Sequence, residues 1–91
     1  MSYEVQILPK AVRQIKALSA VEVRQDITLT IQSLTNEPRP IGVKKLSGEK
    51  DVYRVKAGNY RVLYRIIDKI LVVVVVSVGH RREVYRDRNF C

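Results

Sequence analysis

From Asp51 to Tyr85 the chain reads DVYRVKAGNYRVLYRIIDKILVVVVVSVGHRREVY, and through much of it apolar and charged residues alternate with a period of two. Such alternation sorts side chains onto the two faces of a β-sheet. Gly58-Asn59 interrupts it with a two-residue hairpin signal, because glycine supplies the positive φ that a II′ turn needs at its first central position. With these residues as the loop, Ala57 faces Tyr60, Lys56 faces Arg61, Val55 faces Val62, Arg54 faces Leu63 and Tyr53 faces Tyr64. Tyr53, Val55, Ala57, Tyr60, Val62 and Tyr64 then form a face suited to a core, while Arg54, Lys56, Arg61, Leu63 and Arg65 form a mostly cationic one. Like charges directly opposite on a sheet destabilise it by up to about 1 kcal/mol, so Lys56 facing Arg61 calls for an anion.

A second hairpin through Asp68-Lys69 is expected to pair Ile67 with Ile70 and, counting back, Arg61 with Val76. The strand from Ile70 to Val78 is apolar on both faces, which suits a central strand covered on both sides. It ends at Gly79, so His80, Arg81 and Arg82 emerge at the end of the sheet that carries Lys56 and Arg61. Scattered charge ordinarily marks only a solvated face; here the turn geometry makes the cations converge.

Upstream, Tyr3, Val5 and Ile7 alternate with Glu4 and Gln6 and predict a short strand. Pro9 can open a helix at its first turn, where a missing N–H costs nothing, and Leu8, Ala11, Val12, Ile15 and Leu18 give that helix one apolar face. Ser19 and Glu22 have capping-box spacing, which predicts a second helix from Ala20 with Val23, Ile27, Ile31 and Leu34 as its buried stripe. Ile27, Leu29 and Ile31 also alternate, but the stripe extends over more of the chain. The Asn36-Glu-Pro-Arg-Pro40 segment ends the helix, since residues before proline are biased out of the helical region. The expected fold is a single α+β domain over residues 1–91, β-α-α-β-β-β, with both helices on one face of an antiparallel sheet. The pairing partner of the first strand is left open.

The chain of 91 residues is 46% hydrophobic and carries a formal charge of +8. Residues 44–86 hold eleven basic and four acidic groups, so they supply +7 of that charge. This asymmetry is an electrostatic footprint for polyanions, nucleic acid first and an anionic membrane or acidic protein second. Cys91 is the only cysteine, which excludes an intramolecular disulfide and points to a reducing compartment. The N-terminus lacks the profile of a secretory signal, and the apolar run Ile70 to Val76 is too short to cross a membrane. A soluble, cytoplasmic protein with no membrane partner is expected.

One histidine, one cysteine and no close cluster of acids leave no metal-binding reading, and no phosphate-loop or dinucleotide glycine signature is present. No cofactor is expected. Arg54, Lys56, Arg61, His80, Arg81 and Arg82 are suited to phosphates, and Tyr85 offers a plane on which an unstacked base can rest. RNA permits a further step, because its 2′-hydroxyl can attack the adjacent phosphate without an enzyme nucleophile. Such a reaction needs a base, cations for the charge on the phosphorus oxygens, an acid for the departing 5′-oxygen, and alignment. Flanked by Arg54 and Arg61, and expected to be partly buried, Lys56 is the candidate whose neutral amine is favoured.

KKLSG at 44–48, VYRVKAGNYRVLYRI at 52–66 and VSVGHRREVYR at 76–86 resemble the RelE family, the toxins of bacterial toxin-antitoxin pairs. The resemblance implies a small RNase that enters the ribosomal A site, cleaves the messenger RNA there, and is silenced by a cognate antitoxin. It also implies roles: Lys56 as general base, Arg61 as the phosphate-stabilising arginine, Arg81 as acid or phosphate clamp, and Tyr85 as the residue that stacks on or orients the substrate. Arg54 stands where the best-known members have lysine, and an arginine holds phosphate but scarcely serves as a base. Arginine is an equally poor proton donor at neutral pH, so His80 is the alternative acid. Lys44, Lys45, Arg54, Arg65 and Arg82 are expected phosphate contacts, and an acidic antitoxin is expected to cover the helices and part of the basic sheet. The related ParE group, which acts on DNA gyrase, and a non-catalytic RNA-binding module are the alternatives.

Overall fold

The structure, a computed structural model, describes residues 2–46 and 52–80. Its elements in chain order are strand β1 (Glu4–Ile7), helix α1 (Pro9–Lys16), helix α2 (Val21–Ser33), strand β2 (Lys44–Lys45), strand β3 (Val52–Ala57), strand β4 (Tyr60–Ile67) and strand β5 (Val72–His80). The strands form one sheet in the order β1-β5-β4-β3-β2. The sheet is mixed, not purely antiparallel as expected, because β1 runs parallel to β5 with Glu4 beside Val72 and Ile7 beside Val75. β4 occupies one edge of β5, and β1 takes the other. The short strand β2, which alternation over two residues cannot signal, is a further addition.

The hairpin at Gly58-Asn59 has the expected register throughout, from Ala57 opposite Tyr60 to Tyr53 opposite Tyr64. Gly58 has φ +63° while Asn59 is not among the positive-φ residues, which is the II′ pattern. The β4–β5 connection departs from expectation. Asp68–Ile70 form a 3₁₀ turn and Leu71 takes up a left-handed φ of 54°, so Ile67 pairs with Val72 and not with Ile70. A I′ turn would require positive φ of Lys69 as well as of Asp68, which lysine disfavours; in the longer loop the left-handed conformation falls on Leu71 instead. A β-bulge then shifts the register between Leu63 and Tyr64, whose partners are Ser77 and Val75, with Val76 as the extra residue. Together the two changes bring Gly79, not Val76, beside Arg61.

The bulge also decides which valines reach the core. Val73, Val75 and Val78 all join the main hydrophobic cluster with Val55, Val62, Tyr64 and Ile66 from the neighbouring strands. A strict period of two cannot place 73, 75 and 78 on one face; one extra residue can. The helices supply Ala11, Ile27, Ile31 and Leu34 to this cluster, with Ile15, Leu18 and Val23 packed around it. Leu29 points away at 63% exposure, which agrees with helix and not strand over this segment. Pro9 stands in the first turn of α1 as expected. The capping box does not form: Ala20, without a side-chain cap, precedes α2, and Arg24 Nη1 instead fixes the corner by donating to the Leu18 carbonyl at 2.5 Å. Beyond β1 the edge of β5 is satisfied by α1, since Gln14 Oε1 accepts from the Val78 N–H at 2.7 Å. Among the described residues no helix is long and apolar enough to cross a membrane.

At the end of the sheet remote from Gly58, the linker after α2 is tied down by polar contacts. Tyr64, fully buried, donates its hydroxyl to the Pro38 carbonyl at 2.6 Å, and burial pushes its phenol well up from the usual value. Arg39 Nη2 reaches Asp68 Oδ2 at 2.9 Å and its guanidinium lies 5.3 Å from the Tyr53 ring centre. The Tyr3 hydroxyl donates to Asp68 Oδ1 at 2.6 Å. Hydrogen bonds from Arg39 and then Tyr3 hold the Asp68 carboxyl below its ordinary 3.8, and the same bond to Asp68 raises the Tyr3 phenol. A carboxyl held low stabilises the fold above its ordinary value and loses that contribution as pH falls through the lowered one. Both Arg39 and Asp68 are half exposed, so the effect is small. Urea unfolding of Asp68→Asn should therefore show a modest loss of stability at neutral pH that disappears on acidification below 3.8; a deficit that persists in acid would assign it to something other than the carboxylate.

Candidate active site

The face of the sheet opposite the helices carries the cations. On β3, Arg54 and Lys56 project to it; on β4, Arg61, Leu63 and Arg65 do so; and Lys44 on β2 stands opposite Arg54. Leu63 and Val76 are buried here, with Leu46 and Val74 packed beside them, as a small apolar floor. Lys56 faces Arg61 across the hairpin, and Gly79, which has no side chain, is the neighbour of Arg61 on β5.

Arg61 and Lys56 differ sharply in environment. Arg61 is only 8% exposed, its Nη1 donates to the carbonyls of Gly58 at 3.3 Å and Tyr60 at 3.1 Å, and its Nε has no hydrogen-bond partner. A guanidinium so held is a fixed positive charge with donors to spare. Lys56 is exposed, contrary to the partial burial expected of it. The Nε of Arg65 is likewise buried without a partner. Among the described residues no carboxylate pairs with Lys44, Lys56, Arg61 or Arg65. Cations gathered on a partly apolar floor attract an extended polyanion.

Two expected members lie elsewhere. Lys45 stands opposite Tyr53 and therefore belongs to the helix-bearing face, one residue out of phase with Lys44. His80 pairs with Tyr60, and the two rings meet edge to face with centres 5.5 Å apart. Tyr60 packs against the main core, so His80 is on the helix side and is not brought together with Lys56 and Arg61. The Val76 bulge is the cause, because it changes the phase of every β5 residue beyond it. Arg81, Arg82 and Tyr85 lie outside the described residues. No group of three His, Cys, Asp or Glu side chains that could hold a metal ion occurs among the described residues. Sequence reasoning missed the carbonyl anchors of Arg61, for which no side-chain pattern exists; only the turn type implied by Gly58 points to them.

This architecture has known counterparts. The family model of the ParE toxin of the type II toxin-antitoxin system parDE matches residues 5–85. The mRNA interferase toxin RelE of Escherichia coli K12 is 33% identical over 96% of this chain and 94% of its own length. The free form of an E. coli RelE toxin mutant superposes with a TM-score of 0.77 at 31% identity, covering 94% of this chain and 93% of that one. The RelE–RelB complex of the archaeon Pyrococcus horikoshii gives 0.77 at 28% identity, covering 91% and 99%. The intact E. coli RelBE toxin-antitoxin complex gives 0.75 at 30% identity, covering 87% and 96%. Matched along nearly its whole length in both sequence and fold, the chain belongs to the RelE family of toxins from type II toxin-antitoxin systems.

Proposed function

We propose that this toxin is an endoribonuclease that cleaves messenger RNA in the ribosomal A site, stops translation, and is neutralised by a cognate acidic antitoxin. The observation that carries the reading is the pairing of an exposed lysine amine, Lys56, with a nearly buried and prefixed guanidinium, Arg61, on a face otherwise lined by cations. The printed names of the relatives support the activity: two are mRNA interferases. Solved complexes of RelE with RelB support the antitoxin.

In this mechanism the 2′-hydroxyl attacks the adjacent phosphate and the 5′-oxygen departs, so no metal is required. Lys56, reaching the bound strand from the open side of the hairpin, takes the hydroxyl proton. Arg61 meets the charge that develops on the phosphorus oxygens, and because its guanidinium is already positioned, no reorganisation is needed as that charge grows. Arg54, Arg65 and Lys44 hold the flanking phosphates. Lys45 and His80, on the other face, have no part in this cleavage; Arg81 clamps the phosphate, and solvent delivers the proton to the 5′-oxygen. Arg82 adds a phosphate contact, and Tyr85 stacks on a base. The A site supplies what a shallow sheet face lacks, a messenger held in line for attack.

The ParE description of the matching family model favours one second reading, inhibition of DNA gyrase on the same fold. Single-turnover cleavage on programmed ribosomes, run beside a gyrase supercoiling assay, separates the two. Supercoiling inhibition without cleavage would overturn the RNase reading. On the RNase reading, Arg61→Ala should lower the cleavage rate roughly 100- to 1000-fold while Lys16→Ala, on exposed α1, changes little. Lys56→Arg keeps the charge but scarcely serves as a base; it should bind ribosomes as before and lose most cleavage, and near-native cleavage would take the role of base away from Lys56. The face assignment is tested by salt: Lys44→Ala should reduce the slope of log affinity against log salt for single-stranded RNA by about 0.7. Lys45→Ala should leave it unchanged, and equal effects would contradict the register of β2.

A further inference from the structure

We infer that the Gly58-Asn59 turn is a positioning element for Arg61, which it serves through the orientation of one peptide group, and that its II′ conformation is selected for that reason. The inference rests on the cleavage reading proposed above and deepens it. A two-residue hairpin loop can be closed by a I′ or a II′ turn with the same strand register. The two differ in the central peptide, here the Gly58–Asn59 unit, which is rotated by roughly half a turn between them. The Gly58 carbonyl therefore points to opposite faces of the hairpin in the two types.

In this protein φ is positive at Gly58 alone of the pair, and the Gly58 carbonyl accepts from Arg61 Nη1 at 3.3 Å, beside the Tyr60 carbonyl at 3.1 Å. Arg61 is 8% exposed, and its Nε remains without a partner. One end of the guanidinium is thus tethered to main chain through Nη1, while Nη2, which makes neither of these bonds, is left for a phosphate oxygen. Two carbonyls also place partial negative charge beside the cation without neutralising it, as a carboxylate would. Gly58 is not retained for lack of space, since a Cβ there meets nothing within 4 Å. What is constrained is the backbone.

The test is the exchange Gly58→Asn with Asn59→Gly, which creates the Asn-Gly dipeptide most favoured in I′ turns. Asparagine tolerates positive φ, and its side chain enters open space. The β3–β4 register, read from cross-strand NMR contacts, should persist. Loss of one hydrogen bond to a charged donor should lower single-turnover cleavage on programmed ribosomes roughly tenfold, with ribosome binding little changed. In an Arg61→Ala background the same exchange should have no further effect on the rate. Unchanged cleavage with the register intact would overturn the inference, as would an equal loss in the Arg61→Ala background. Wild-type protein that cuts no messenger would instead overturn the cleavage reading and leave the anchoring to be judged on its own. A second measurement judges it without activity or a folded variant: ¹⁵N NMR of the free wild-type protein should show restricted rotation about the Arg61 guanidinium bonds and averaged signals for the exposed Arg13. Free rotation at Arg61 would end the proposal.

Discussion

The register of β3 on β4 governs both sides of this sheet at once. Because side chains alternate, the pairing that buries Val55, Val62 and Tyr64 against the helices also lifts Lys56 and Arg61 onto the opposite face, directly across from one another. Two like charges in that arrangement oppose the hairpin. The core on the other side enforces it, since a slip of one residue would send Tyr64 and Val62 out into solvent. The unfavourable proximity is thus held in place by packing energy from elsewhere, a general way in which folded proteins keep reactive groups together.

That hairpin was the most legible part of the chain, and the reason is local. Gly58 specifies its turn within two residues, and every pair up to Tyr53 and Tyr64 follows by counting. Helix α1 was legible for the same reason, through Pro9 and the apolar spacing behind it. Legibility failed where structure depends on distant partners. Asp68-Lys69 looks like a turn in isolation, yet the loop extends to Leu71, and its Asp68 also receives Tyr3 and Arg39 from remote parts of the chain. Ser19 has the spacing of a cap, but the corner is set by Arg24 on the Leu18 carbonyl. Five consecutive valines give no sign of where a bulge falls, since each of them is acceptable on either face.

The candidate site divides along the same line. The hairpin count places Arg54, Lys56, Arg61 and Arg65 together, and the structure keeps them together. His80 and Lys45, expected with them, are both on the other face. For Lys45 the cause is a single step of strand phase against Lys44. For His80 it is the bulge, whose effect is felt four residues downstream of Val76. The exposed state of Lys56 was also beyond reach of sequence, because the burial of a lysine depends on what surrounds it in space and not on its strand neighbours.

The Val76 bulge behaves as a phase shifter in the main chain. Before it, odd-numbered residues of β5 face the helices; after it, even-numbered ones do. Chains that differ by a single valine in this run would present different side chains to the substrate from identical letters beyond it. Removing one valine would turn His80 toward the face of Arg61 and Gly79 toward the core without altering any residue of either. The chemistry available at the end of this sheet is therefore encoded as much by the number of valines before it as by the identities of the residues that follow.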